Sequence, residues 1–290
     1  MKHFKDIVTA RTPEEAVRLR REAGARSLYL AGGTMAVPLA VKSVEVLVDI
    51  SRLDLAGIAV GDGAVSIGAT TRQADLLTPE VRDAAPLVWS AARACATPII
   101  RNMATVGGWL AVAHLPSDLA VALLAAGASV RVLEYGAEAQ AALPVANLLS
   151  RGWLKGPDMV CGVSLPARKA GEGVSFQKFG RSAIDIALVN AAARVRAAAD
   201  GTMAEVAVAV GQSASLPVLL GDLAGEAVGK RPARGLLESL ARAAAGAVKT
   251  RSDFRASADY RKQLIETMVT RALTEAVGRA GLEIEAWAAR

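Results

Sequence analysis

Two glycine pairs, Gly32-Gly33 and Gly107-Gly108, each follow an apolar, strand-like segment, and this repetition constrains the chain more than any other feature. Glycine tolerates positive φ and lets one backbone approach another closely. Each pair therefore marks a tight turn leaving the end of a strand. Ser27-Leu28-Tyr29-Leu30-Ala31 reads as the buried strand that enters the first turn. The preceding helix is well punctuated. Thr12 can cap it, Pro13 suits the first helical position, Glu15 completes a capping box and Gly24 ends it. The apolar run from Val44 to Ile50 is a second strand, so the opening segment has β–α–β character with a glycine turn after a strand.

The rest alternates in the same way. Ile58 to Gly68 reads as a hairpin around Asp62-Gly63. Thr70-Thr71-Arg72-Gln73 can begin a short helix, and Pro86 to Ala96 is helical, with Leu87, Ala91 and Ala94 on one face. Ser117 or Asp118 caps a helix reaching Ala126, which leaves polar atoms directed at the preceding glycine loop. Ser129 to Leu133 and Met159 to Leu165 are strands, the latter stopped by Pro166. Residues 167–173 (ARKAGEG) form the linker candidate. Beyond it, Val174 to Phe179, Ile186 to Ala197 and Met203 to Val210 are extended, with a hairpin turn at Asp200-Gly201. The alanine run 191–199 also suits a helix by propensity, and strand is the preferred reading. Leu236 to Trp287 carries helical periodicity. The expectation is an α+β chain in two domains, residues 1–170 (subdomains about 1–55 and 56–170) and 171–290.

Composition narrows the function. A chain of 290 residues buries roughly 75% of its unfolded surface and needs no metal or disulfide staple. Cys95 and Cys161 are too few to hold an iron–sulfur cluster alone, and His3 and His114 stand isolated, so no metal site is expected. Met1 to Asp6 is not followed by a signal-peptide apolar region, and the run from Leu119 to Ala126 falls far short of the ~20 residues of a membrane span. A cytoplasmic protein is expected. The net charge of +6 is dispersed among acidic residues, and no cluster of arginines with aromatics offers a stacking platform. Nucleic acid is therefore not an expected partner; a basic surface suits an acidic protein or an anionic cofactor.

Successive backbone N–H groups in a glycine turn form an anion-binding nest. Two nests on one cleft would hold the two phosphates of a dinucleotide, although a glycine pair also serves as an ordinary turn. Neither loop is a Walker A motif or GxGxxG. Arg101, just before the second loop, suits either a phosphate or a surface ion pair. Lys178, Arg181 and Asp185 form a second polar cluster, either a solvated strand face or a cation set beside an electron-rich ring. His114 has no partner spaced for a triad or a metal, and GxSxG and HExxH are absent. The residues alone describe a two-domain α+β protein with a dinucleotide cleft.

Five segments, taken in order, resemble a known family. They are Ala31-Gly32-Gly33-Thr34-Met35-Ala36-Val37-Pro38; Ile100 to Trp109 (IRNMATVGGW); Ser117-Asp118-Leu119; Lys178 with Arg181 and Asp185; and Asp253 to Arg261 (DFRASADYR). Their forms and spacing are similar to those of the FAD-binding medium subunit of molybdenum hydroxylases, the family of aerobic carbon monoxide dehydrogenase and xanthine dehydrogenase-like complexes. Trp109 stands where the family usually has asparagine, and Met35 where an acidic or polar residue is frequent.

The resemblance implies a two-part, PCMH-type FAD-binding domain and a C-terminal domain with a small antiparallel sheet and helices. It implies FAD on this chain, a small partner with two [2Fe–2S] clusters, and a large partner with a molybdenum–molybdopterin cofactor, in a heterotrimer or its dimer. Electrons would pass from the clusters to FAD and on to an external acceptor, with no acid–base pair on this chain and therefore no catalytic residue. Gly32, Gly33, Gly107 and Gly108 would bring amides to the pyrophosphate and ribityl region, flanked by Ala31, Met35, Ala36 and Arg101. Thr34 and Thr105 would add hydroxyls, and Trp109 a backbone N–H and a stacking ring. Ser117 and Asp118 would accept from the cofactor, and Lys178 would place its charge near the isoalloxazine. A stand-alone FAD-dependent reductase and a flavin-free structural subunit are the competing readings.

Overall fold

The computed structural model describes residues 4–38, 44–61, 63–111, 117–150, 154, 156–212 and 216–285. His3, Asp62, His114 and Trp287, all used above, lie outside them. The elements in chain order begin with β1 (Asp6–Thr9), α1 (Pro13–Ala23), β2 (Ser27–Leu30), β3 (Val46–Asp49), β4 (Ile58–Gly61) and β5 (Ala64–Gly68). Then follow α2 (Pro79–Ala84), α3 (Pro86–Ala94), α4 (Pro98–Met103), α5 (Val106–Leu110), α6 (Asp118–Ala126), β6 (Ser129–Leu133), β7 (Ala141–Pro144), α7 (Val145–Ser150) and β8 (Met159–Pro166). The chain continues through β9 (Glu172–Phe179), β10 (Val189–Ala197), β11 (Met203–Gly211), β12 (Val218–Leu219), α8 (Gly221–Gly225), α9 (Arg234–Ala247) and α10 (Ala258–Arg279).

These elements gather into two compact units. One comprises Met1–Thr78, Thr97–Leu115 and Ala128–Pro166; the other comprises Pro79–Ala96, Pro116–Gly127 and Ala167–Arg290. The crossing expected near residue 170 is thus one of several.

The first unit holds two sheets. β1, β3 and β2 lie parallel in that order, with Ser27 and Asp6 both opposite Val46. The β–α–β reading holds here, and β1 adds an edge strand that the sequence did not announce. α1 begins as expected: the Glu15 N–H donates to the Thr12 hydroxyl, 3.1 Å away. The Glu15 carboxylate turns one residue further back than a capping box would take it, to the Arg11 N–H at 2.7 Å. The buried face of α1, Ala16 and Val17, packs on Val48 and Ile50 together with Met159 and Cys161 of β8. β4, β5, β8, β6 and β7 form the second, antiparallel sheet.

The second glycine pair departs from expectation. The segment entering it is helix, not strand: the Thr97 hydroxyl accepts from the Ile100 N–H and Pro98 opens α4. Gly107 and Gly108 then sit inside the next short helix, α5, capped by Thr105.

The second unit is built on the antiparallel sheet β12-β11-β10-β9. The alanine run is strand, with Asn190 opposite Lys178 on β9 and Gly211 on β11. Alternation decides this: Ala191, Ala193 and Val195 of β10 share a core with Ile265, Met268, Leu273 and Ala276 of α10. Helix propensity alone does not outweigh that burial. Gly173 lets α10 come close, because a Cβ there would lie 2.1 Å from the Ala276 carbonyl oxygen. All nine residues of α6 are buried, and Gly127 ends the helix in the left-handed region at φ 71°. The tail motif proves structural. Arg261 is fully buried; its Nη1 donates to the carbonyls of Leu188 (2.8 Å) and Gln212 (2.9 Å), and its Nη2 to Asp253 at 2.8 Å.

Candidate functional site

The first glycine loop leaves β2 and carries a run of uncommitted donors. The N–H groups of Gly32, Gly33, Thr34 and Met35 donate to no acceptor among the described residues, while the Val37 N–H returns to the Gly33 carbonyl at 3.1 Å. Gly33 adopts φ +71°, which glycine reaches without strain. Gly32 is required for a different reason. A Cβ there would lie 1.7 Å from the Met103 carbonyl oxygen, so the loop is pressed directly against the end of α4.

The second glycine pair has no such donors. The Val106 N–H binds the Thr71 carbonyl (2.9 Å) and the Gly107 N–H the Ala69 carbonyl (2.7 Å). The Gly108 N–H binds the Thr105 hydroxyl (3.2 Å) and the Trp109 N–H the Thr105 carbonyl (3.1 Å). A Cβ on Gly107 would lie 2.7 Å from the Ala69 Cβ. The expected pair of facing nests is therefore one nest, from Gly32 to Met35, backed by a second loop whose glycines serve packing. With the bond from the Gln73 N–H to the Ala104 carbonyl (2.8 Å), residues 69–73 and 104–107 are stitched into a rigid floor.

Two cavities of the first unit share Ala31, Gly32 and Thr105. One, of about 90 Å³, is an apolar slot that also touches Gly33, Thr34, Met35, Ala36, Gly107 and Gly108. Its far wall is Leu28, Tyr29, Ile50, Met159 and Val160. The other, of about 460 Å³, is polar, with Ser51, Thr70, Arg72, Asp75 and Asn102 on its walls. Arg101 and Trp109 line neither. The Trp109 indole Nε1 is buried and has no acceptor among the described residues.

Tyr29 and Arg20 were not singled out from the sequence. The Arg20 guanidinium lies 4.6 Å from the Tyr29 ring centroid, and the Tyr29 hydroxyl donates a short hydrogen bond to the Pro157 carbonyl. Burial raises the Tyr29 hydroxyl above its ordinary range against the pull of Arg20, and burial lowers Arg20. Tyr29 thus presents a neutral, fixed ring to the slot. The available signal was an aromatic three residues before the first glycine pair.

The remaining expected site residues belong to the second unit. The Ser117 hydroxyl accepts from the Ala120 N–H at 3.0 Å as the cap of α6. Asp118 is buried, and both its oxygens have protein partners: Oδ2 accepts from Lys178 Nζ at 2.9 Å and Oδ1 from Asn190 Nδ2 at 2.6 Å. Lys178 Nζ also donates to the Ala94 carbonyl at 2.7 Å. Burial pushes the Asp118 carboxyl up, and Lys178 and Asn190 pull it down. Lys178 is therefore one half of a buried ion pair rather than a free cation. Arg181 and Asp185 face each other at 3.6 Å on the surface. Among the described residues there is no cluster of His, Cys, Asp and Glu able to hold a metal, and no helix is long and apolar enough to cross a membrane.

The donor set of the first loop suits a pyrophosphate. Comparison with known proteins gives the family. Residues 2–167 match the family described as the FAD binding domain in molybdopterin dehydrogenase, and residues 174–276 match the CO dehydrogenase flavoprotein C-terminal domain. The 6-hydroxypseudooxynicotine dehydrogenase complex subunit alpha of Paenarthrobacter nicotinovorans is 31% identical over 283 residues, covering 95% of both chains. The carbon monoxide dehydrogenase medium chain of Hydrogenophaga pseudoflava is 29% identical over 91% of this chain and 94% of its own length. The solved structure of carbon monoxide dehydrogenase from the same organism, lacking the Mo-pyranopterin moiety, superposes with a TM-score of 0.90 at 27% identity, over 96% of this chain and 99% of that one. The chain belongs to the family of FAD-binding flavoprotein subunits of molybdopterin dehydrogenases.

Proposed function

We propose that this chain is the FAD-carrying electron-transfer subunit of a cytoplasmic molybdenum hydroxylase complex. It receives electrons from the [2Fe–2S] clusters of a small partner and passes them to an external acceptor, while substrate is oxidised at the molybdenum cofactor of a large partner. The assembly is a heterotrimer or its dimer. The observation that carries the reading is the run of four backbone donors from Gly32 to Met35 with no acceptor among the described residues, beside an apolar slot.

The chain's own residues bind and orient. The amides of residues 32–35 would hold the pyrophosphate, with the Thr34 and Thr105 side chains at the same cavity. Tyr29, Leu28, Ile50 and Met159 would exclude water from a ring lodged in the slot. Gly107 and Gly108 support this loop by close packing. When bound, FAD supplies a two-electron store that exchanges electrons one at a time. No residue of this chain is assigned a proton-transfer step, which suits a subunit that relays electrons. Both cysteines are buried and outside any disulfide, as suits a reducing compartment.

The test is flavin content. The purified chain is expected to carry releasable FAD, and its co-expressed complex is expected to add iron–sulfur absorption. Flavin-free protein that takes up no added FAD would overturn the reading.

A further inference from the structure

We infer that Arg20 is a cofactor-binding residue of this chain, the charge that holds the pyrophosphate of the dinucleotide against the donor loop. The inference rests on the reading of that loop as the FAD site, and adds to it a side chain outside both glycine motifs. Arg20 stands near the end of α1, yet it lines the same slot as Gly32, Gly33, Thr34 and Met35. Among the described residues it is the only charged side chain on that slot. A pyrophosphate diester is a dianion, and the amides of a nest offer only partial charges against it.

The guanidinium has no anion of its own. Other shielded arginines are neutralised: Arg194 pairs with Glu172 and Glu205, and Arg255 and Arg261 pair with Asp253. Arg20 is half-buried and has no such ion pair among the described residues. Asp158 is near enough for its charge to be felt, but its Oδ1 accepts from the Tyr135 N–H at 3.1 Å. Leu28, Ile50, Met159 and Val160 make the rest of that wall apolar, and burial there acts against the arginine's charge. A cation kept partly out of water without a counter-charge is stabilised by an anion that enters beside it.

Arg20 is also held ready. Its carbonyl accepts from the Gly24 N–H, which closes α1, and from the Ser27 hydroxyl at 3.2 Å, which ties the helix end to the start of β2. Its guanidinium lies 4.6 Å from the centroid of the Tyr29 ring, and the Tyr29 hydroxyl is anchored on the Pro157 carbonyl. A side chain ordered before binding loses little freedom when the ligand arrives. The planar fork of a guanidinium also matches two phosphate oxygens at once, which an ammonium does not. Charge, shielding and preorganisation thus meet in one residue on the slot that carries the nest.

The experiment strips flavin from the full chain and titrates it with FAD and with ADP by calorimetry across a salt series. Arg20→Met is expected to weaken both about ten- to a hundredfold and to flatten the dependence of ADP affinity on salt. Arg20→Gln keeps a polar head without the charge and is expected to lose ADP in the same way, which covers a methionine variant that does not fold. Arg21 is the neighbour on α1; its guanidinium lies 5.5 Å from the Tyr135 ring and it does not line the slot. Arg21→Met removes the same charge from the same helix and should bind ADP as wild type does. Wild-type ADP affinity in the Arg20 variants would overturn the inference. So would weakened ADP binding with the salt dependence intact, which would assign Arg20 to packing on Tyr29. A wild-type chain that binds neither FAD nor ADP would defeat the reading of the loop and this inference with it. A wild-type chain that binds both, with the Arg20 variants indistinguishable from it, would defeat this inference alone.

Discussion

Lys178 Nζ lies 2.9 Å from Asp118 Oδ2, and the two side chains are 11% and 9% exposed. A pair so buried holds the end of β9 against the start of α6, and Asn190 joins from β10. Lys178→Met would strand the carboxylate, so a loss of about 3–5 kcal/mol is expected. Lys178→Met combined with Asp118→Leu should recover much of it, and chemical denaturation of the two singles and the double measures the coupling.

The same variant makes a pH prediction. Burial already pushes the Asp118 carboxyl up, and Lys178 is the first force opposing it. Without the lysine the folded carboxyl binds its proton more tightly than the unfolded one. Stability is then greater at low pH and declines as pH rises through the raised value. Lys178→Met should melt closer to wild type at pH 5 than at pH 8, and thermal melts at both values decide it.

Asp253 runs the other way. Partial burial tends to raise its carboxyl, but the Arg255 and Ala256 amides and the Arg261 guanidinium hold it at about 2. Its contribution is complete above the unfolded carboxylate range, near 3.9, and is lost as pH falls towards 2. Asp253→Asn should flatten that acid limb, as read from urea midpoints between pH 2 and 5. Arg261→Met strips partners from the Leu188 and Gln212 carbonyls and from Asp253 together, so a loss of several kcal/mol is expected.

The two glycines of the first loop should fail differently. Gly33→Ala places a side chain at φ +71°, at a cost of about 1–2 kcal/mol, and should keep part of the FAD. In Gly32→Ala the new methyl meets the Met103 carbonyl, the loop must move, and FAD content should fall near zero. Flavin-to-protein ratios of the two variants, with circular dichroism to confirm folding, separate them.

Cys161 is buried in β8, and burial pushes its thiol up to about 11. It should resist a disulfide reagent at pH 8 in the native chain and react at once in denaturant. Rapid native labelling, located by peptide mapping, would show that this sheet opens readily.

Much of this was legible from local chemistry. Thr12, Pro13 and Gly24 delimit α1 because caps and stops act over a few residues, and Asp200-Gly201 marks its hairpin for the same reason. The second glycine pair misleads because glycine resembles a breaker, whereas Gly107 and Gly108 sit inside α5 for tertiary fit to Ala69 and Thr105. Lys178 was anticipated as a cation, but its partners Asp118 and Ala94 lie 60 and 84 residues away, beyond any local pattern. The assignment of α3 and α6 to the same unit as β9–β11 depends on long-range packing in the same way.

The most direct test of the central claim is the visible spectrum of the purified chain, with identification of the chromophore released by heat. The account predicts flavin bands and FAD in the supernatant at close to one per chain, falling sharply in Gly32→Ala. A colourless chain that remains so after incubation with FAD and after assembly with its partners would contradict it.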